Sequence, residues 1–188
     1  MTDGRRATAG PVIEQVTTRV AYESAYLRLR EDQIRRPDGS AGVYSYLEKP
    51  DFALVIPAEN GGYHLVEQYR YPVRRRTWEF PQGTFPGLAP TEDAELLAAA
   101  ELRQETGMTA AVLRHLGFTY IANGLTDQGC HVFLATGLTA GETELEPDEQ
   151  DLRQGWFARS DLERMIASGA ITDGPSIAAY TLLTLSER

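Results

Sequence analysis

One stretch constrains this chain more than any other. A glycine- and proline-punctuated segment, Gly83-Thr-Phe-Pro-Gly-Leu-Ala-Pro-Thr-Glu92, runs into Asp-Ala-Glu-Leu-Leu-Ala-Ala-Ala100-Glu101-Leu-Arg-Gln104-Glu105-Thr-Gly107-Met108. The alanine run has high helix propensity and small side chains, suited to close packing on a sheet. Thr91 is the expected N-cap, with Glu92, Asp93 and Glu95 in a first turn where the helix dipole favours negative charge. Gly107 is placed to close the helix in the left-handed conformation. At ~100° per residue, Glu101, Gln104 and Glu105 share one face. Two carboxylates one turn apart can share a hard cation through oxygen. The same spacing describes a solvated acidic face, and spacing alone leaves both readings open.

Around this helix the chain reads mostly as strands. Residues 1–12 are polar and without period, a loose tail. Alternating runs on either side of Arg36-Pro-Asp-Gly39 have the signature of a hairpin, with Arg28 and Arg30 on one solvent-facing side. Phe52-Ala-Leu-Val-Ile-Pro and Tyr63-His-Leu-Val-Glu-Gln-Tyr-Arg70 flank the tight turn Glu59-Asn-Gly-Gly62. Trp78-Glu-Phe leads into Pro-Gln82-Gly83, residues 110–122 and 130–136 are further strands, and 152–157 is a last one. Asp161-Leu-Glu-Arg-Met-Ile-Ala and Pro175-Ser-Ile-Ala-Ala-Tyr-Thr-Leu-Leu are amphipathic helices separated by Gly169 and Gly174. Strands, one helix, more strands, then helices predict an α+β fold in which helices sandwich a mixed sheet.

Charge narrows the partners. Of 188 residues 27 are acidic and 18 basic, a net charge of −9, which disfavours a nucleic-acid backbone as the main ligand. A phosphate substrate then needs a metal or a few local arginines. The one cysteine, Cys130, excludes an internal disulfide and, among apolar neighbours, reads as a buried inert thiol. No signal-peptide core and no membrane-length apolar run is present, so the expectation is a cytoplasmic protein without a membrane partner.

The segment ending at Met108 resembles the Nudix box: Gly, five residues, Glu, seven residues, Arg-Glu, an aliphatic, any residue, Glu-Glu, any residue, Gly, an aliphatic. Glu92, Glu101, Leu102, Glu105 and Gly107 match. Glu67-Gln-Tyr-Arg70 and Trp78-Glu-Phe-Pro-Gln-Gly83 before it, and His131-Val-Phe-Leu-Ala after it, point towards the ADP-ribose pyrophosphatase-like branch. Three positions depart. Gly83 lies nine residues before Glu92 rather than six, Ala100 replaces the arginine that would brace Glu92, and Gln104 replaces the first glutamate of the pair.

This resemblance implies a Nudix fold at 51–188, preceded by an antiparallel β arm at 13–50 that packs across a two-fold partner, hence a homodimer. It implies hydrolysis of the diphosphate bond of a nucleoside diphosphate linked to another moiety, such as ADP-ribose or a nucleotide sugar. Magnesium, or manganese in its place, would be held by Glu101, Glu105, the weaker neutral ligand Gln104 and the Gln82 carbonyl. Arg70 and Glu79 would bind substrate. The general base would come from the acidic loop 141–151, with Glu149 chosen and Asp148 and Asp151 next. Gln128, often glutamate in the resembling proteins, is neutral here. Ala100, Gln104, Gln128 and the longer loop also support an alternative, a nucleotide-binding or regulatory module with little hydrolysis.

Overall fold

The computed structural model describes residues 13–85, 87, 89–90, 93–145 and 150–188. The paired apolar runs form a hairpin of β4 (Phe52–Glu59) and β5 (Gly62–Arg70). Its turn is made by Asn60 and Gly61 at φ 51° and 74°, the left-handed conformation that a tight hairpin of this length requires. β6 (Arg75–Glu79) pairs with β5, and the two-residue β7 (Gln82–Gly83) pairs with β4. β8 (Thr109–Tyr120), β9 (Gly129–Thr139) and β10 (Arg153–Ala158) complete a sheet ordered β10-β5-β4-β9-β8. β4 and β9 run parallel while β4–β5 and β5–β10 are antiparallel, so the sheet is mixed.

Both faces of the central strand are buried. Ala53 and Val55 face α1 (Ala94–Thr106), where they pack with Leu97, Ala98 and Leu102. Leu54 and Ile56 face the opposite way, towards Leu162 of α2 (Arg159–Ser168) and Ala179 and Leu183 of α3 (Gly174–Ser186). A strand covered on both sides needs a continuous apolar run rather than an alternating one, which is what Phe52-Ala-Leu-Val-Ile is. Each fully buried side chain of that size contributes roughly 1.5–3 kcal/mol. The expected α+β sandwich of a mixed sheet between helices is therefore present.

β1 (Glu14–Glu23), β2 (Arg28–Arg35) and β3 (Ala41–Glu48) form a separate antiparallel sheet in that order. Together with residues 120–129 they belong to one compact unit, and the mixed sheet with its helices forms the other. Within the first unit, Leu47 N–H donates to the Leu125 carbonyl at 2.8 Å and Tyr44 Oη to the Gly124 carbonyl at 3.0 Å. Arg28 and Arg30 do not stand free in solvent as their alternation suggests. Both pair with Glu48 on the adjacent strand, a cross-strand contact that period alone cannot reveal.

Helix α1 starts later than its sequence suggests. Asp93 is the N-cap, its carboxylate accepting from Glu95 N–H at 3.1 Å and Leu96 N–H at 3.0 Å. Thr91, expected in that role, and Glu92 lie outside the described residues. The C-terminus agrees with expectation: Gly107 has φ 71° and its N–H bonds the Arg103 carbonyl.

Candidate active site

The chain from Phe80 to Gly83 is where three elements meet. Phe80 is buried in the core, the Pro81 carbonyl accepts from Val55 N–H at 2.9 Å, and Gln82 and Gly83 pair with Leu54 and Ala53. The turn is thus fixed to the sheet before any functional group is considered. Its other side lies on α1. Gln82 N–H donates to Glu105 Oε2 at 3.2 Å, and a Cβ placed on Gly83 would come within 2.5 Å of Glu101 Oε1. A side chain at 83 would have to displace the Glu101 carboxylate, which occupies the space its Cβ would take. Glu101 and Glu105 are only 6% and 1% exposed, an expensive location for acids unless charge or hydrogen bonds meet them.

Arg70 ends β5 and Glu79 ends the antiparallel β6, whose register sets Arg70 opposite Arg75 and Glu79 opposite Val66, so the two meet by the reach of their side chains. The guanidinium grips the carboxylate in a fork, Arg70 Nε to Glu79 Oε2 at 3.2 Å and Arg70 Nη2 to Glu79 Oε1 at 2.5 Å. The acid is 1% exposed, whereas the arginine side chain is 40% exposed. Burial pushes the Glu79 carboxyl up to about 7; Arg70 opposes that shift and the nearby charge of Asp173 adds to it. Glu79, expected on substrate, has its carboxylate on Arg70.

A residue the sequence reading did not select joins this group. Asp173 caps α3: its Oδ2 accepts from Ser176 N–H at 2.9 Å and from the Gln82 side-chain amide at 3.0 Å. Ser176, 2% exposed, accepts from Phe80 N–H at 2.9 Å. The cap itself is legible, since Asp173-Gly-Pro175 places an N-cap before a proline in the first turn. Its reach to Gln82, 91 positions away, is not.

The remaining candidates separate. Gln104 is half-buried on the face it shares with Glu101 and Glu105, and its carbonyl accepts from Glu144 N–H at 3.0 Å. Arg103 pairs with Glu144 at 3.2 Å, and Gln154 Nε2 donates to the Glu105 carbonyl at 2.9 Å. The start of the acidic loop and β10 are therefore both fastened to α1. Asp151 pairs with Arg76. Glu149 and Asp148 lie outside the described residues. Gln128 is 4% exposed and its amide donates to the Pro50 carbonyl at 2.8 Å. Cys130 is fully buried, and burial raises its thiol far above the usual range, consistent with an inert packing residue.

Among the described residues, no three His, Cys, Asp or Glu side chains form a group that could hold a metal. What α1 and the turn offer instead is all oxygen: two carboxylates, the Gln104 amide and the Gln82 carbonyl. That donor chemistry fits a hard cation such as magnesium, which keeps several waters and needs only one or two protein carboxylates.

Comparison with known proteins gives the family. Residues 13–47 match the nucleoside diphosphate sugar hydrolase N-terminal domain. Over 167 residues the chain is 33% identical to the ADP-ribose pyrophosphatase of Mycobacterium tuberculosis, covering 88% of this chain and 80% of that protein. It belongs to the ADP-ribose pyrophosphatase-like Nudix hydrolases. The ADP-ribose pyrophosphatase of Bacillus subtilis is 28% identical over 168 residues, with 88% and 89% covered. A crystal structure of an ADP compounds hydrolase superposes with a TM-score of 0.79 over 95% of both chains at 16% identity, so the Nudix fold persists where sequence has largely diverged. For a Nudix pyrophosphohydrolase, α1 and the Gln82–Gly83 turn are the box helix and its lead-in, and Gln104 is the position at which the box is short of charge. Among the described residues, no helix is long and apolar enough to cross a membrane.

Proposed function

We propose that this Nudix hydrolase cleaves the diphosphate bond of a nucleoside diphosphate joined to a second moiety, of the ADP-ribose or nucleotide-sugar class, with a divalent cation. The observation that carries the reading is the seating of the Gln82–Gly83 backbone directly on two buried carboxylates of one helix face. The names of the two pyrophosphatase relatives support the substrate class.

Glu101 and Glu105 would hold the cation, with the Gln82 carbonyl and the Gln104 amide oxygen as neutral additions. Magnesium, or manganese, supplies charge neutralisation at the phosphate oxygens and acidifies a bound water when present. Arg70 offers the guanidinium edge left over from its fork with Glu79 to the diphosphate. Glu79 would act through Arg70 rather than on substrate. Water adds its oxygen to one phosphorus and gives its proton to a carboxylate of the acidic loop, assigned to Glu149. The bridging P–O bond breaks and the leaving phosphate keeps the electron pair. Incubation with magnesium and a panel of ADP-ribose and nucleotide sugars tests this; two phosphomonoester products from at least one compound are expected.

A second reading rests on Gln104 and Ala100: a nucleotide-binding or regulatory module whose box has lost turnover. Calorimetry distinguishes them, because tight nucleotide binding without product would favour the module and brisk wild-type turnover would end it. The arm at 13–50 is proposed to dimerise. Every residue of β1 is exposed, and Val16, Val20 and Tyr22 leave apolar surface uncovered, which a two-fold partner would bury. Light scattering at micromolar concentration should give twice the mass of 20.8 kDa.

A further inference from the structure

We propose that Asp173, the N-cap of the C-terminal helix α3, is a positioning residue for the cation-binding turn, acting through the Gln82 side chain. The inference rests on the proposed function, since it concerns the ligand set assigned there.

The turn is held on two sides by different means. On the α1 side the Gln82 main-chain N–H meets Glu105 Oε2 at 3.2 Å. On the α3 side the Gln82 side-chain amide meets Asp173 Oδ2 at 3.0 Å. The same oxygen accepts from Ser176 N–H at 2.9 Å, and Ser176 Oγ in turn accepts from Phe80 N–H at 2.9 Å. Phe80 and Gln82 are thereby tied to Ser176 and Asp173, both at the start of one helix, and the Pro81 carbonyl between them is tied to Val55. With both its main chain and its side chain committed, Gln82 has little freedom to turn its carbonyl. A carbonyl ligand contributes to cation affinity only if it is held in place beforehand. Among the described residues, Asp173 supplies the restraint on Gln82 that comes from neither the sheet nor α1.

The side chain at 173 does two separable things, capping α3 and holding Gln82. Serine caps about as well as aspartate but is too short to keep the Gln82 contact as well. Asparagine retains an oxygen at the same reach. The test is manganese titration by electron paramagnetic resonance on the full-length chain, with thermal denaturation run alongside. Asp173→Ser should weaken manganese binding about fivefold, the loss of one ordinary hydrogen bond, with the melting temperature near wild type. Asp173→Asn should stay within about twofold of wild type. Gln82→Leu, which leaves the α3 cap untouched, should reproduce the Asp173→Ser loss, and the double variant should lose no more than either single one. If Asp173→Ser and Gln82→Leu both bind manganese as wild type does, the inference is overturned while the proposed function stands. If wild type binds no manganese, the metal reading fails and this inference fails with it.

Discussion

Arg70, opposite Arg75 in the antiparallel register of β5 with β6, reaches back along the strands to Glu79, opposite Val66, in a forked ion pair with the acid 1% exposed and the base 40% exposed. The buried partner fixes the orientation of the accessible one, and the guanidinium edge turned away from the fork is what a diphosphate could meet. Glu79→Gln keeps the volume but weakens the grip. The expected result is a rise in KM of about tenfold, the cost of roughly one charge-assisted hydrogen bond, with a smaller change in kcat. In an Arg70→Ala background the same substitution should add almost nothing, because the two act as a unit.

The same pair sets a pH dependence. The Glu79 carboxyl, at about 7 against an ordinary 4.5, keeps its proton in the fold at pH values where the unfolded chain has lost it. Its contribution to stability is fully present below about pH 4.5 and is lost as pH rises through 7, of order 3 kcal/mol in all. Glu79→Gln should remove that slope, so urea denaturation of wild type and variant between pH 5 and 8 should give a difference that changes steadily with pH. A difference constant across this range would show that Glu79 does not titrate there.

Gly83→Ala separates function from folding. The added methyl would lie 2.5–2.6 Å from the Glu101 carboxylate, the far end of a flexible side chain that can move away at small cost in stability. The displaced carboxylate is the proposed cation ligand. A melting temperature within a few degrees of wild type, with cation affinity down at least about tenfold, is expected. Equal cation affinity would place the site elsewhere.

Gln104→Glu restores the charge that the box is missing. A third carboxylate on the face of Glu101 and Glu105 should tighten magnesium binding several-fold, and turnover should rise with it if charge is what limits the natural chain. Lower magnesium affinity would mean that position 104 does not face the cation.

Much of this was legible in the chain. The alanine-rich helix, its terminal Gly107, the two-residue hairpin turn at Asn60-Gly61 and the doubly covered strand at Phe52-Ala-Leu-Val-Ile are local patterns whose physics is local. The family resemblance brought Glu101, Glu105, Gln82 and Arg70 forward as candidates. What was not legible depends on contacts distant in sequence. The N-cap moved from Thr91 to Asp93 because several residue types near the helix start can cap it, and only backbone conformation selects one. Arg28 and Arg30 looked solvent-facing because their partner, Glu48, comes from the adjacent strand. Asp173 reads as a cap, yet nothing in its neighbourhood announces a hydrogen bond to Gln82. Glu79 came forward with Arg70 from the resemblance as a substrate residue, but the register of β5 with β6 sets it opposite Val66, and its fork with Arg70 is a side-chain contact that no local pattern reveals.

The most direct test of the account is product analysis by phosphorus NMR of ADP-ribose incubated with magnesium and either wild-type protein or Glu105→Gln. Wild type should yield AMP and a sugar phosphate, a chelator should abolish both, and Glu105→Gln should be slower by at least about 100-fold. Absence of product from ADP-ribose and from every nucleotide sugar tried, or turnover indifferent to chelator and to Glu105, would contradict it.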